Sequence, residues 1–299
     1  MKKDLITLND INREEVLALF EKTALLKKKR NQGEPHRSLE GKSLGMIFSK
    51  ESTRTRISFE VGMYELGGQA IFLSSDQLQI KREETAADSA KVLSRYLHGV
   101  LIRTHEHEFL EEFAKHATIP VINGLTDLNH PVQILTDIFT IKEKLDRIEK
   151  VKVAYIGDGN NVAYSWILGA NLMDMHLTIA SPTDLRPEIP KTLNGGGRLD
   201  LFEDPLKAAE DADVIYTDVW VSMGDKNAAE KKERLKNYQI NQNVLKAAKP
   251  NALVMHCLPA HRGEEIASEV LDGPQSIIFD QAENRLHVQK AILDTLLQQ

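Results

Sequence analysis

Two doubly wound α/β domains with parallel sheets, joined by interdomain helices, are the architecture that three features of the sequence predict. Short apolar runs alternate with helical patterns in both halves, from Ser43–Phe48 to Ala252–His256. Several of these runs are almost continuously apolar, as strands covered on both faces must be. At 299 residues, and about 150 residues per domain, the chain has room for two such units. The charged stretch Lys144–Lys150 is the expected border. Residues 1–146 then form one domain and 147–281 the second, with the helix at 282–299 packing back on the first.

Composition narrows the function classes. The chain is 41% hydrophobic and 27% charged, with a net charge of −6. Bulk attraction to nucleic acid is therefore not expected, and an anion site must be a local basic pocket. Cys257 is the single cysteine, which rules out an intrachain disulfide and a cysteine-based metal cage. The start, MKKDLITLND, turns polar at once, and no apolar run approaches the ~20 residues that span a bilayer. The cytoplasm is the expected location, with no membrane partner. No internal repeat or low-complexity segment is visible.

In the first half, Thr7-Leu8-Asn9-Asp10 offers an N-cap for a helix through about Lys29, with a stripe of Ile11, Val16, Leu19, Phe20 and Leu26. The basic run Lys27–Arg30 suits that helix's C-terminal dipole. Ser43–Phe48 reads as a buried strand, Ser49–Ser52 as a polar turn, and a helix from Ser52 or Thr53 stops at Gly67-Gly68. Around its first turn stand Lys50, Ser52, Thr53, Arg54, Thr55 and Arg56. The free N–H groups of a helix start favour an anion. Hydroxyls and cations there suit the oxygens of a phosphate; the plainer reading is a Ser-capped helix with solvated arginines. Ala70–Leu73 is a strand, Ser74–Glu84 a charged loop, and Thr85–Leu97 a helix. Strand Val100–Arg103 ends in an arginine, where open α/β sheets place their ligand crevice. Helix Glu106–His116 and strand Pro120–Asn123 lead to Gly124–Gln133, whose Asn-His-Pro turn opens a helix to about Lys144. His130 and Gln133 either face the same crevice or serve the turn alone.

In the second half, strand Val151–Ile156 runs into GDGNNVAYSWILGA. Position 162 is Val, so a third glycine is missing from a dinucleotide fingerprint; the other reading has Asn160 and Asn161 presenting amides to a small polar ligand. Strand His176–Ala180, loop Asn194–Gly197, helix Pro205–Asp211 and strand Val214–Thr217 follow. Beyond them lie Asp218 to Gly224 and the charged stretch Asp225–Lys236. Asp218 suits an ammonium group or a cap, and Met223-Gly224 suits a hinge. Helix Asn241–Ala248 and strand Ala252–His256 lead into Cys257-Leu258-Pro259-Ala260-His261-Arg262. Neighbouring strand residues face opposite ways, so His256 is poorly placed as a base for Cys257. A last helix, Gln281–Leu297, carries Asn284, Arg285 and His287 early.

Taken together, these blocks resemble the aspartate/ornithine carbamoyltransferase family nearly end to end. Ser52-Thr53-Arg54-Thr55-Arg56 and His130-Pro131-x-Gln133 match motifs shared across it. Asp158-Gly159-Asn160-Asn161, Asp218-x-Trp220-x-Ser222-Met223-Gly224, His256-Cys257-Leu258-Pro259-Ala260 and Ala282-Glu283-Asn284-Arg285 look like its ornithine branch. The resemblance implies transfer of the carbamoyl group of carbamoyl phosphate to the δ-amine of L-ornithine, by direct attack and with neither metal nor organic cofactor. By it, Ser52, Thr53, Arg54, Thr55 and Arg103 hold the phosphate, while Thr55, Arg103, His130 and Arg285 surround the carbamoyl oxygen. Gln133 and the Leu258 backbone hold the carbamoyl nitrogen; Asn161, Asp218, Ser222 and Met223 hold ornithine, with Cys257 beside the reacting amine. It also implies homotrimers, or multiples of them, whose sites a neighbouring subunit completes. Counting back from the helix at Thr85, Gln79 is the residue donated. The segment Ser181–Arg198 is short for the pattern, which trims a peripheral helix and leaves the site alone.

Overall fold

The first sheet is built around β1 (Ser43–Phe48), whose last five residues are all buried. A central strand covered on both faces has no polar side to show, and SLGMIF has none. It pairs in parallel with β2 (Gln69–Ser74) on one side and β3 (Gly99–Arg103) on the other, and β3 pairs with β4 (Val121–Leu125). The order is β2-β1-β3-β4. This computed structural model describes residues 4–74, 84–222 and 227–298; Gln79 and Met223 lie outside them.

Helices α1 (Arg13–Asn31), α2 (Thr53–Glu65), α3 (Ala86–Leu93), α4 (His107–His116) and α5 (Pro131–Leu145) complete this part of the chain. The first helix starts later than its expected cap. Asn12, not the Thr7–Asp10 segment, caps α1 through a reciprocal box with Glu15, at 2.9 and 3.0 Å. Asp10 instead closes its own turn on the Ile6 and Thr7 amides. Leu5 adds a bridge beside Ile122 of β4.

The second sheet runs β7-β6-β5-β8-β9, again parallel throughout. Its strands are β5 (Lys152–Ile156), β6 (His176–Ala180), β7 (Arg198–Phe202), β8 (Val214–Thr217) and β9 (Leu253–His256). Its helices are α6 (Asn161–Leu172), α7 (Pro205–Ala209), α8 (Ala228–Leu235), α9 (Gln242–Ala247) and α10 (Ser268–Leu271). Three of these elements, β7, α8 and α10, were not expected from the sequence. The last helix, α11 (Ile278–Leu297), begins three residues before the expected Gln281.

The chain divides into two compact units, Met1–Phe139 with Glu283–Gln299, and Thr140–Ala282. Both divisions fall inside helices, α5 and α11. After Pro131, α5 holds no glycine or proline to break it, so it continues past the boundary. Each unit has its own apolar core: Ile47, Val100, Ile102 and Phe113 in the first, Ile156, Ile215, Trp220 and Val254 in the second.

Candidate active site

In each sheet the strand order reverses direction at one place. In the first it is between β1 and β3, in the second between β5 and β8. Open parallel sheets bind ligands at the carboxyl ends of the strands flanking that switch. Among the described residues, Ser52, Thr55 and Arg103 stand at the first switch and Asn161 and Asp218 at the second.

In the first unit, β1 ends in the turn that opens α2. Ser52 is extended and caps the helix, its Oγ accepting from the Thr55 amide at 3.2 Å. On the other side of the switch, β3 ends at Arg103, whose carbonyl accepts from the Ser49 amide at 2.8 Å. The Arg103 Nε donates back to the Lys50 carbonyl at 3.2 Å, tying the two strand ends together. Thr55 is fully buried, and its Oγ1 accepts from Arg285 Nη2 at 2.6 Å. Arg285 Nη1 donates to Gln133 Oε1, and Gln133 Nε2 donates to Asp137 Oδ1 at 2.8 Å. Thus residues from α2, α5 and α11 form one chain of hydrogen bonds.

His130 sits at the start of α5 with 4% of its surface exposed. Its turn is held by buried Asn129, which receives the Asn123 amide at 2.6 Å and gives its carbonyl to the Thr126 amide. Burial first, then the charges of Arg285, Arg103, Lys50 and Arg54, push the imidazole well below the ordinary histidine range. It is therefore neutral near pH 7, a hydrogen-bonding group and not a fifth cation. Arg56 does not join this group: its Nε bonds Glu60 at 2.9 Å and its guanidinium lies 3.8 Å from the Phe72 ring centre. Lys50, Arg54, Arg103 and Arg285 make a strongly positive pocket on a chain whose net charge is −6. Chemically, the arrangement fits a compact anion that also carries a carbonyl oxygen.

In the second unit, Asp158-Gly159-Asn160 follows β5 and Asp218 follows β8. Asn160 caps α6 with its Oδ1, 2.9 Å from the Val162 amide, and its Nδ2 donates to Asp218 Oδ2 at 2.8 Å. The other Asp218 oxygen accepts the Val219 amide at 2.8 Å and the Cys257 thiol at 2.9 Å. Beneath them lies Tyr155, whose hydroxyl donates to the Asp158 carbonyl at 2.9 Å. Burial, then the nearby Asp218 and Asp158 charges, raise its pKa well above the usual phenol value. Asn161 and Ser222 are partly buried beside these residues in the chain. A carboxylate, a thiol and amides at a strand switch fit a small polar molecule with an amino group.

Two sequence readings are decided here. Gly159 makes room for the protein's own backbone: a methyl group there would overlap the Leu185 carbonyl and the Pro187 nitrogen. Its amide also donates to Leu185 at 2.9 Å. A fingerprint glycine should instead clear space for a pyrophosphate. Asn160 is likewise a structural strut for Asp218 and not a free ligand. Asp218, His256 and Cys257 bring metal-ligand-type atoms within 4.8 Å of one another. Both His256 ring nitrogens already have hydrogen-bond partners, Leu258 N and Glu265 Oε1.

Sequence reasoning missed the residues that hold this machinery, namely Asp137, Tyr155 and Glu265. Asp137 lies one helical turn from Gln133, a spacing that could have flagged it, whereas the pairing of Glu265 with His256 depends on the loop between them.

A family model described as the aspartate/ornithine carbamoyltransferase carbamoyl-P binding domain matches residues 3–143. A second, its Asp/Orn binding domain, matches 149–296. The chain belongs to the aspartate/ornithine carbamoyltransferase family. Within that family, an ornithine carbamoyltransferase of Syntrophus aciditrophicus is 55% identical, over 99% of this chain and 100% of its own length. That of Methanosarcina mazei is 52% identical over 99% and 100%. The solved ornithine carbamoyltransferase of Pyrococcus furiosus superposes with a TM-score of 0.92 at 48% identity, covering 97% of this chain and 95% of its own. The Burkholderia thailandensis structure does so at 0.91 and 40% identity, covering 99% and 98%.

Proposed function

We propose that this chain transfers the carbamoyl group of carbamoyl phosphate to the δ-amine of L-ornithine, giving L-citrulline and phosphate. The observation that carries the reading is the pairing of chemistries at the two strand switches. One unit bears a cation-rich helix start beside a buried neutral histidine, the other a carboxylate–thiol pair. Relatives of about 50% identity over the full chain, named ornithine carbamoyltransferase, support it.

In this reading Ser52, Thr53, Arg54 and Thr55, with Arg103, take the phosphate at the start of α2. Thr55, Arg103, His130 and Arg285 aim donors at the carbamoyl oxygen, and Gln133 and the Leu258 backbone take the carbamoyl nitrogen. Asn161, Asp218, Ser222 and Met223 hold the amino acid. The amine attacks the carbamoyl carbon, negative charge builds on the oxygen, and the tetrahedral state collapses as phosphate leaves. Charge matching by the arginines makes phosphate a good leaving group. The amine must attack uncharged. For a lysine-like pKa of about 10.4, deprotonation near pH 8 costs roughly 3 kcal/mol. The leaving phosphate is the proposed acceptor of that proton. Cys257, which donates to Asp218, steers the amine and does not act as a nucleophile.

The same reading makes the assembly a homotrimer or a multiple of trimers, a neighbour's residue near Gln79 completing the phosphate site. The protein then works in the cytoplasm; among the described residues no helix is long and apolar enough to cross a membrane.

The test is colorimetric citrulline formation from carbamoyl phosphate and ornithine, with aspartate, putrescine and N-acetylornithine in parallel. Ornithine is the expected acceptor, with intersecting initial-rate lines. Arg54→Ala, folded, should lose about 10²–10³ in rate, the usual cost of one such donor. Preference for another amine, parallel lines, or near-normal activity in Arg54→Ala would each refute the corresponding part.

A further inference from the structure

The loop that leaves β9, His256 to His261, is tied at both ends to one buried carboxylate. Glu265 is fully buried, as is His256. Its Oε1 lies 3.2 Å from His256 Nε2 and also accepts the backbone amide of His261. Across the ring, His256 Nδ1 accepts the Leu258 amide at 2.8 Å. An N–H can only donate, so Nδ1 is unprotonated and the proton rests on Nε2, facing Glu265. The hydrogen-bond network assigns this tautomer. The His256 backbone is also fixed, its amide donating to Gln281 Oε1 at 2.9 Å.

This pairing sets the direction of the peptide between Cys257 and Leu258. In a trans peptide the carbonyl points opposite to the N–H. With the Leu258 N–H turned to His256, the Cys257 carbonyl faces the other way. Leu258 itself has φ of +58°, a conformation that costs a residue with a β-carbon roughly 1–2 kcal/mol and therefore needs outside support. The hydrogen bond to His256 supplies that support. Between the two tied ends lie Cys257, whose thiol reaches Asp218, and Leu258, whose backbone serves the carbamoyl nitrogen in the proposed reaction.

We propose that Glu265 is a positioning residue: through the His256 tautomer it fixes the Leu258 amide, and so the backbone and thiol that the loop presents to the substrates. The proposal rests on the carbamoyl-transfer reading. It goes beyond it in assigning a role to two residues that touch no substrate. The carboxyl remains ionised despite its burial. Desolvation opposes the charge, but the hydrogen bonds from His256 and the backbone outweigh it and hold its pKa below the ordinary value.

The experiment compares Glu265→Met with Glu265→Gln, whose amide oxygen can still accept from His256. Misplacing reacting groups by about 1 Å costs on the order of 10²-fold, so Glu265→Met should lose roughly 10- to 100-fold in kcat per folded molecule. Its affinity for inorganic phosphate, which the start of α2 holds without Leu258, should be unchanged. Glu265→Gln should recover to within about three-fold of the wild type, because the acceptor is restored. A folded Glu265→Met with wild-type kcat would overturn the proposal, as would Glu265→Gln impaired as badly as Met. Should Glu265→Met not fold, 15N-histidine NMR of the wild type decides. A neutral His256 with its proton on Nε2 is expected; a proton on Nδ1 refutes the relay. An inactive wild-type enzyme would instead defeat the carbamoyl-transfer reading, whatever the spectrum shows.

Discussion

His130 carries the sharpest consequence of the site's chemistry at the scale of single residues. Its folded pKa is depressed, by burial and by four cations. An unfolded histidine titrates near 6.5, so below about that pH the unfolded chain takes up a proton that the folded site refuses. Stability is complete above this range and falls as pH drops towards the folded pKa. His107 and His287, also lowered by burial, act in the same direction. In urea unfolding at pH 7.5 and 5.5, His130→Gln should lose less stability on acidification than the wild type, by about 1 kcal/mol. Equal losses in both proteins would mean that His130 is not held neutral. The residues legible in the sequence were those in contiguous blocks, such as 52–56 and 256–260. Which of them bond to one another was not legible: the Thr55–Arg285 bond joins positions 230 apart, and Asn160–Asp218 positions 58 apart. No spacing rule reaches so far, and only the fold shows that Asn160 props Asp218 and that Glu265 anchors a loop.

At the scale of elements, caps and breakers made most boundaries readable. Ser52, Thr85, Asn160 and Asn241 each accept from an amide of the helix they start. The misses have physical causes. Edge strand β7 follows a glycine run and is partly exposed along RLDLF, so it shows no apolar core signal. Helix α8, AAEKKERL, buries only Leu235 and reads as a charged loop. Strand order was beyond reach because crossovers set it, yet it places both candidate half-sites at switch points. Helix α11 also carries a costly residue. Gln289 is fully buried, and neither its amide nitrogen nor its oxygen has a hydrogen-bond partner among the described residues. Such a group costs about 1–3 kcal/mol of desolvation. Gln289→Met, similar in volume and apolar, should therefore raise stability by about that amount in denaturant titration, with unchanged turnover. A destabilised Gln289→Met would show that the amide is satisfied in solution.

For the whole molecule, the charge pattern separates solubility from recognition. The net −6 supplies no bulk attraction for an anion, while four cations around one helix start make a local anion pocket. The proposed trimer belongs to this scale. Sedimentation velocity of the purified chain should read three chains or a multiple of three, and a monomer with full activity would contradict a site completed by a neighbour. The two units show why fold class was legible and half-site detail was not. Alternation of strand and helix is a local property of each stretch, whereas the hydrogen-bond chain Thr55–Arg285–Gln133–Asp137 requires α2, α5 and α11 to be packed first.

The central claim is that a phosphate docks on the start of α2 with its carbamoyl group turned to Thr55 and Arg285. A crystal structure with carbamoyl phosphate bound tests this most directly. Phosphate oxygens should lie on the amides and hydroxyls of Ser52, Thr53 and Thr55 and on Arg54, with the carbamoyl oxygen facing Thr55, His130 and Arg285. Density for the ligand at Gly157–Asn160 after β5, or a phosphate facing away from α2, would contradict it.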